Sequence, residues 1–122
     1  MNHPNFILLY VDQPETSADF YSKLLDATPI ERSATFALFA LSSGLMLGLW
    51  SKHTVEPKAD NAPGSGELAF RMESPAAVQA ACTQWQADGL QILQAPTQMD
   101  FGFTFVALDP DGHRLRVFAP AM

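Results

Sequence analysis

The residue types that most often carry out chemistry are few in this chain of 122 residues, and they lie far apart. The histidines are His3, His53 and His113, and the single cysteine is Cys82. A zinc site needs several nitrogen or sulfur ligands together, and a reactive cysteine needs a basic neighbour that lowers its pKa. Cys82 follows an alanine-rich segment without such a neighbour. These residues therefore predict a buried structural thiol and surface histidines, with no catalytic residue among them.

Glycine and proline mark a linker near the middle of the chain instead of a phosphate site. Pro63-Gly64-Ser65-Gly66 precedes an apolar segment and contains no lysine, whereas a phosphate-binding loop opens a helix and carries one. The sequence also lacks the residue order of a Ser-His-Asp triad. Neither phosphoryl transfer nor nucleophilic hydrolysis is indicated.

The charge excludes two classes of partner. Seven lysines and arginines stand against thirteen aspartates and glutamates, which gives a formal net charge of −6 and a pI near 4.7. Such a chain repels the phosphates of nucleic acids and anionic membrane surfaces.

The first apolar run, Phe6–Val11, is too short for a signal peptide or a membrane span. We therefore expect a soluble cytoplasmic protein without a nucleic-acid or membrane partner.

Hydrophobic patterning divides the chain into elements that would position any site. Phe6–Val11 predicts a buried strand, and Pro14 with the apolar spacing behind it predicts a helix over about 14–25. A second helix is predicted from Pro75 to the residue before Gly89, with Glu73-Ser74 as its start. The remaining predicted strands are 28–31, 35–41, 45–51, 67–72, 90–94, 103–108 and 114–118.

The two halves of the chain repeat the order strand, helix, strand, strand, strand. A shift of 61 residues (75 − 14) places Pro14 of the first half on Pro75 of the second. The sequence thus predicts an α+β fold: a single domain of residues 1–122 with tandem βαβββ modules at about 4–52 and 66–119, joined by a linker at 53–65. A lone four-stranded module leaves one face of its curved mixed sheet open, so that face needs a cover.

Two motifs support a family resemblance. Leu9-Tyr10-Val11 is followed by Pro14-Glu15-Thr16-Ser17-Ala18-Asp19-Phe20-Tyr21, and Asp109-Pro110-Asp111-Gly112-His113 precedes the last strand. Together with the tandem βαβββ order, they make the chain similar to the vicinal oxygen chelate superfamily. That superfamily includes glyoxalase I, bleomycin-resistance proteins, fosfomycin-resistance enzymes and extradiol dioxygenases. The resemblance implies two curved sheets around a ligand-binding hollow.

A closer resemblance is to the phenazine-antibiotic resistance proteins of that superfamily, which bind a planar tricyclic antibiotic without a metal. The similar segments are Gly48-Leu49-Trp50-Ser51, Asp100-Phe101-Gly102-Phe103-Thr104-Phe105 and Asp109-Pro110-Asp111-Gly112-His113-Arg114-Leu115-Arg116-Val117.

The catalytic members of the superfamily hold a divalent metal on the first and last strands of each module. The resemblance implies that the matching positions here are Phe6 and either Met46 or Gly48 in the first module, and Glu67 and Arg116 in the second. Only one of these residue types is a usual ligand, and an arginine repels a nearby cation. We therefore expect no metal, no cofactor and no catalytic residue.

The residues at these positions suit a flat aromatic ligand instead. Tryptophan and phenylalanine stack on rings, methionine adapts its shape, and a glycine on a strand leaves room beside the backbone. Arg116 is expected to pair with Glu67 or with a ligand carboxylate. The predicted ligand-binding residues are Phe6, Leu8, Tyr10, Met46, Gly48, Trp50, Ser51, Glu67, Phe101, Phe103, Arg116 and Phe118. The aromatic residues expected in the core are Phe20, Tyr21, Phe36, Phe70 and Trp85.

The predicted function is to bind and sequester a planar aromatic small molecule such as a phenazine-type antibiotic, and so to confer resistance. The resemblance implies a homodimer with two equivalent sites, which would also cover the open sheet faces. One alternative is a metal-dependent glyoxalase, lyase or thiol transferase of the same superfamily. Another is an interaction module whose pocket is vestigial.

Overall fold

β-branched, aromatic and leucine side chains in a continuous run make the first strand, and proline begins the helix behind it. In the computed structural model, which describes residues 3–121, β1 is Phe6–Val11 and α1 is Pro14–Leu25. Met1, Asn2 and Met122 lie outside the described residues. The chain divides into two compact units, the first ending at Asn61 and the second beginning at Ala62.

The first unit completes its sheet with three short strands. β2 is Glu31–Arg32, β3 is Phe36–Ala40 and β4 is Met46–Ser51. The strand order is β1-β4-β3-β2, with β1 parallel to β4 and the other pairs antiparallel. The core lies between α1 and the adjacent sheet face, where the buried side chains include Val11, Ala18, Tyr21, Phe39 and Leu49.

The second unit repeats this arrangement. Its elements are β5 (Glu67–Arg71), α2 (Pro75–Ala87), β6 (Gln91–Met99), β7 (Gly102–Leu108) and β8 (Arg114–Pro120). The strand order is β5-β8-β7-β6, with β5 parallel to β8. Val78 and Cys82 of α2 pack with Phe105, Ala107, Val117 and Ala119 of the sheet, and Phe70, Trp85 and Phe103 join this core. The predicted α+β fold of two tandem βαβββ modules is therefore confirmed.

The register shows how the units correspond position by position. In the first unit Phe6 pairs with Met46 and Leu8 with Gly48. In the second unit Glu67 pairs with Arg114 and Ala69 with Arg116. Since the helices begin 61 residues apart, at Pro14 and Pro75, Phe6 corresponds to Glu67. It follows that Gly48, not Met46, is the counterpart of Arg116.

β6 is longer than predicted, because the strand continues past Gln94 through Pro96 to Met99. Proline lacks the N–H that a central strand would need, but β6 is an edge strand of its sheet. Register shifts between Ile92 and Gln94 and between Gln94 and Thr97 accommodate the irregular segment. The predicted end of this strand at residue 94 was therefore wrong.

β2 begins later than predicted, at Glu31 instead of Thr28. Arg32, beyond the predicted strand, belongs to β2 and pairs with Ala37 of β3. Its Nη2 also lies 2.8 Å from Asp19 Oδ1 and its Nε 3.5 Å from Glu15 Oε1, which connects β2 to α1. These carboxylates raise the pKa of Arg32, with the hydrogen bond to Asp19 as the largest cause.

Among residues 3–121, neither helix has the length and apolar character needed to cross a membrane.

The two helix starts offer a matched test of capping. Ser74 Oγ accepts a hydrogen bond from the Ala77 N–H at 3.1 Å, whereas Gln13, at the same position before α1, makes no side-chain cap. Because an N-cap serine supplies a partner for an otherwise unpaired N–H, Ser74→Ala should lower the free energy of unfolding by about 1 kcal/mol. Gln13→Ala should change it much less. Urea unfolding measures both, and equal losses would contradict this account of the caps.

Candidate ligand-binding site

Strand alternation gives the first unit an apolar sheet face opposite the one that packs on α1. Phe6, Leu8 and Tyr10 of β1 pair with Met46, Gly48 and Trp50 of β4, and these pair in turn with Ala40, Leu38 and Phe36 of β3. We call this set the aromatic face. It brings together five of the predicted ligand-binding residues around Gly48, and at its edge Glu31 of β2 pairs with Leu38.

The side chains of the aromatic face are accessible to a ligand. Phe6, Leu8 and Tyr10 are 44%, 43% and 41% exposed, which is unusual for three large apolar side chains in one strand. Trp50 stands edge-on to Tyr10 at 6.5 Å and to Phe36 at 6.3 Å between ring centroids. Such edge-to-face pairs are favourable and hold the indole in a defined orientation. The face therefore offers ordered aromatic surface for stacking.

Gly48 serves this face by making room for neighbouring side chains. A Cβ at this position would lie 2.6 Å from Leu8 Cδ2 and 3.1 Å from Phe36 Cζ. Leu8 and Phe36 thus take the space that was expected to admit a ligand against the strand. Phe36, expected in the core, is instead a member of the aromatic face.

Ser51 and Phe103, both in the predicted set, point to the other side of their sheets. Ser51 is buried, and its Oγ accepts a hydrogen bond from the His53 N–H at 3.2 Å, so it stabilises the turn after β4. Phe103 packs against the core between α2 and β7. Neither residue shares a sheet face with Trp50 or Arg116.

In the second unit the corresponding face carries a polar and aromatic group centred on Arg116. Arg116 and Phe118 alternate outward on β8, beside Glu67 of β5 and Thr104 of β7. Phe101 precedes β7 and stands edge-on to Phe118, with ring centroids 6.2 Å apart. We call this group the arginine cluster; its members are Glu67, Gln94, Phe101, Thr104, Arg116 and Phe118.

Arg116 is held by a bidentate ion pair. Its Nε donates to Glu67 Oε1 at 2.8 Å, and its Nη2 donates to Glu67 Oε2 at 3.0 Å. This parallel arrangement is the strongest geometry available to an arginine and a carboxylate. The two side chains are 19% and 30% exposed, so water screens the pair only in part. Of the two partners that the sequence left open for Arg116, the structure shows Glu67.

The rest of the guanidinium is also engaged. Its Nη1 donates to Thr104 Oγ1 at 3.1 Å and to Gln94 Oε1 at 3.5 Å. Thr104 in turn donates to the Val117 carbonyl at 2.8 Å, which leaves its oxygen free to accept from Arg116. The Arg116 Cζ lies 5.7 Å from the centroid of the Phe101 ring, within range of a cation–π interaction.

Two turns place Arg116 and Phe101. The Asp109 carboxylate accepts from the N–H groups of Asp111 and His113 at 2.9 and 2.8 Å, so the Asp109–His113 motif is the tight turn between β7 and β8. At the other end, Gly102 has φ of +149°, and a Cβ there would lie 2.0 Å from the Ala119 carbonyl oxygen. Only glycine permits this approach, which brings Phe101 alongside Phe118.

Arg116 lowers the pKa of Glu67. Its hydrogen bonds are the largest cause that holds the pKa of Glu67 below the ordinary value of 4.5, and the charges of Arg116 and Arg114 act in the same direction. Partial burial opposes the shift but does not reverse it. Glu67 is therefore ionised at neutral pH.

The residues at the metal positions of this fold do not suit a metal. Phe6 has no donor atom, Gly48 has no side chain, and both carboxylate oxygens of Glu67 accept hydrogen bonds from Arg116. A cation at Glu67 would have to displace a guanidinium fixed by three residues. Within the part of the chain that the structure describes, no group of three or more His, Cys, Asp or Glu side chains comes together as a metal site would require.

His53 and Cys82, which were considered as metal-ligating or nucleophilic residues, contact structural neighbours. His53 Nε2 lies 2.6 Å from Asp12 Oδ1, and this hydrogen bond is the largest cause that lowers the pKa of Asp12. Burial raises the pKa of the Cys82 thiol, which makes it a poor nucleophile. The reading of Cys82 as a buried structural residue agrees with its place in the α2 core.

The fold and the order of its elements agree with one protein family. A family model for the Glyoxalase/Bleomycin resistance protein/Dioxygenase superfamily matches residues 3–117, and the chain belongs to this superfamily. A glyoxalase-related enzyme from Fulvimarina pelagi shares the fold with a TM-score of 0.84 at 23% identity, over 98% of this chain and 88% of that one.

Two relatives are similar in sequence as well. Protein ATC0852 from Agrobacterium tumefaciens, solved by NMR in solution, is 55% identical with a TM-score of 0.92, and the match covers 100% of both chains. The phenazine antibiotic resistance protein EhpR from Enterobacter agglomerans is 29% identical over 117 residues, or 93% of this chain and 89% of EhpR.

The Glu67–Arg116 pair predicts a specific dependence of stability on pH. Because the pKa of Glu67 is lower in the folded state, its ionised form stabilises the fold at every pH above the unfolded-state pKa. That contribution is lost as the pH falls through the folded-state pKa. At pH 7, Glu67→Gln should therefore lower the free energy of unfolding by about 1–3 kcal/mol, and the difference from the wild type should shrink below about pH 4.

Glu73→Gln is the matched control, since Glu73 is exposed and forms no ion pair with another residue of the described chain. Urea unfolding at several pH values measures both variants. A Glu67→Gln loss that stays constant from pH 7 to acid would contradict the assignment.

Proposed function

We propose that the protein binds a planar aromatic small molecule of the phenazine-antibiotic type, keeps it out of solution and thereby confers resistance. The aromatic face of the first unit and the arginine cluster of the second are the proposed contact surfaces. The protein is proposed to act stoichiometrically in the cytoplasm, without a metal or cofactor.

The observation that carries this proposal is the aromatic face. Folding normally buries large apolar side chains, yet here three neighbours on β1 stay more than two-fifths exposed beside an ordered tryptophan. A flat apolar molecule would remove this surface from water and gain stacking with Trp50 or Tyr10. The similarity to EhpR, a phenazine antibiotic resistance protein, supports the choice of ligand class.

The chemistry required is binding alone. Sequestration needs affinity and a sufficient amount of protein, and neither unit has to polarise or break a bond. The Glu67–Arg116 pair supports independence from a metal, because its geometry satisfies the carboxylate without one. Among residues 3–121 the geometry gives no support to the superfamily's metal-dependent lyase or thiol-transferase activities.

Trp50 provides the most direct variant. Truncating a stacking tryptophan removes its contact area, so Trp50→Ala should weaken phenazine binding about tenfold or more in a calorimetric titration. Tyr10→Ala, which removes an exposed neighbour, should weaken binding to a smaller extent. Ile30→Ala is the control, because Ile30 is 63% exposed but lies outside the aromatic face.

Thermal unfolding should show that each variant remains folded before it is titrated. If Trp50→Ala and Tyr10→Ala bind as tightly as Ile30→Ala, the aromatic face is not a contact surface. If the wild-type protein binds no phenazine at all, the proposed function fails.

We also propose that the protein forms a homodimer. Exposed apolar surface of this kind is commonly covered by a second copy. Light scattering on the purified protein should give a mass near twice the chain mass of 13.3 kDa. A mass of one chain at tens of micromolar protein would contradict the dimer and leave the ligand proposal to its own test.

A further inference from the structure

The ion pair at the centre of the arginine cluster bears on the kind of ligand that the protein accepts. An arginine that receives a ligand carboxylate needs two neighbouring N–H groups in one plane. In Arg116 that edge, formed by Nε and Nη2, already holds Glu67, and Nη1 holds Thr104 and Gln94. The guanidinium has little capacity left for a carboxylate from outside.

The flat surface of the Arg116 guanidinium stays available for contact with an aromatic ring. Phe101, which is 44% exposed, lies against the guanidinium, and Phe118 stands edge-on to Phe101. A guanidinium paired within its plane still stacks on aromatic rings through its faces. With its charge compensated by Glu67, it can meet an uncharged ring system without leaving a buried charge unpaired.

A second arginine also lies near Glu67. Glu67 pairs in register with Arg114, whose charge contributes to the lowered pKa of Glu67. Arg114 and Arg116 are thus two cations near this carboxylate that would otherwise both attract an anion. Removing it would leave a strongly positive surface at the place where the aromatic rings are exposed.

We propose that Glu67 is a specificity-determining residue: it occupies the carboxylate-binding edge of Arg116, so that the protein prefers uncharged planar aromatic molecules to those bearing a carboxylate. This inference rests on the proposed function, since it concerns which members of the ligand class bind. It assigns Glu67 a role in selection, where catalytic members of the superfamily use the position for chemistry.

The test compares two probes, unsubstituted phenazine and a phenazine with one ring carboxylate, by calorimetric titration at pH 7. Wild-type protein should bind the uncharged probe more tightly. Glu67→Gln should shift the ratio of the two dissociation constants toward the carboxylate by about tenfold, because it frees charge-assisted hydrogen-bond donors. Glu67→Asp keeps the charge and should retain the wild-type preference.

Two further variants distinguish a role of Glu67 in ligand selectivity from a purely structural role. Glu73→Gln makes the same change of net charge in the same unit and should leave the ratio unchanged. Glu67→Gln combined with Arg116→Gln should lose the gained affinity for the carboxylate, since the receiving guanidinium is gone. Melting curves for each variant establish that it is folded before titration.

The outcomes distinguish the inference from the proposed function. If both probes bind and Glu67→Gln weakens them equally, Glu67 has a structural role only and the inference is wrong while the function stands. If wild-type protein already prefers the carboxylate, the inference is also wrong. If neither probe binds wild-type protein, the proposed function itself fails.

Discussion

Each four-stranded sheet of this protein has one helix against one of its faces, and the rest of the structure follows from that constraint. Side chains alternate along every strand, so one half of them packs under the helix and the other half is left on the opposite face. In the first unit this leaves Tyr10 and Trp50 together; in the second it leaves Glu67 and Arg116 together. A binding site is expected on the sheet face that the helix of the unit does not cover.

The two units show how one topology carries two chemistries. Their strand orders are equivalent, yet Phe6 and Gly48 in one correspond to Glu67 and Arg116 in the other. The first pair belongs to an apolar surface, and the second forms an ion pair that also engages Thr104. Of these four positions only Glu67 carries a usual metal-ligand side chain, and both of its carboxylate oxygens accept hydrogen bonds from Arg116. The fold thus specifies where a site lies, and the side chains decide what it does.

Local patterns in the sequence were enough to predict the helices, most strands and the repeat, because periodicity and proline placement act over a few residues. Register could not be predicted, since it depends on pairing between distant strands. That is why Met46 and Gly48 remained alternatives, and why Ser51 and Phe103 were grouped with a face they do not share. Gln94 and Thr104 were missed as partners of Arg116; alternation from Arg116 across β7 would have found Thr104, but the irregular β6 conceals Gln94.

In the proposed function, binding needs only the protein's own side chains. A calorimetric titration of phenazine into wild-type protein, treated with a chelator and shown by elemental analysis to be free of metal, tests this requirement. Binding should be saturable with one ligand per chain and unchanged when divalent metal is restored. Binding that appears only after a metal is added, or no binding under either condition, would contradict the proposal.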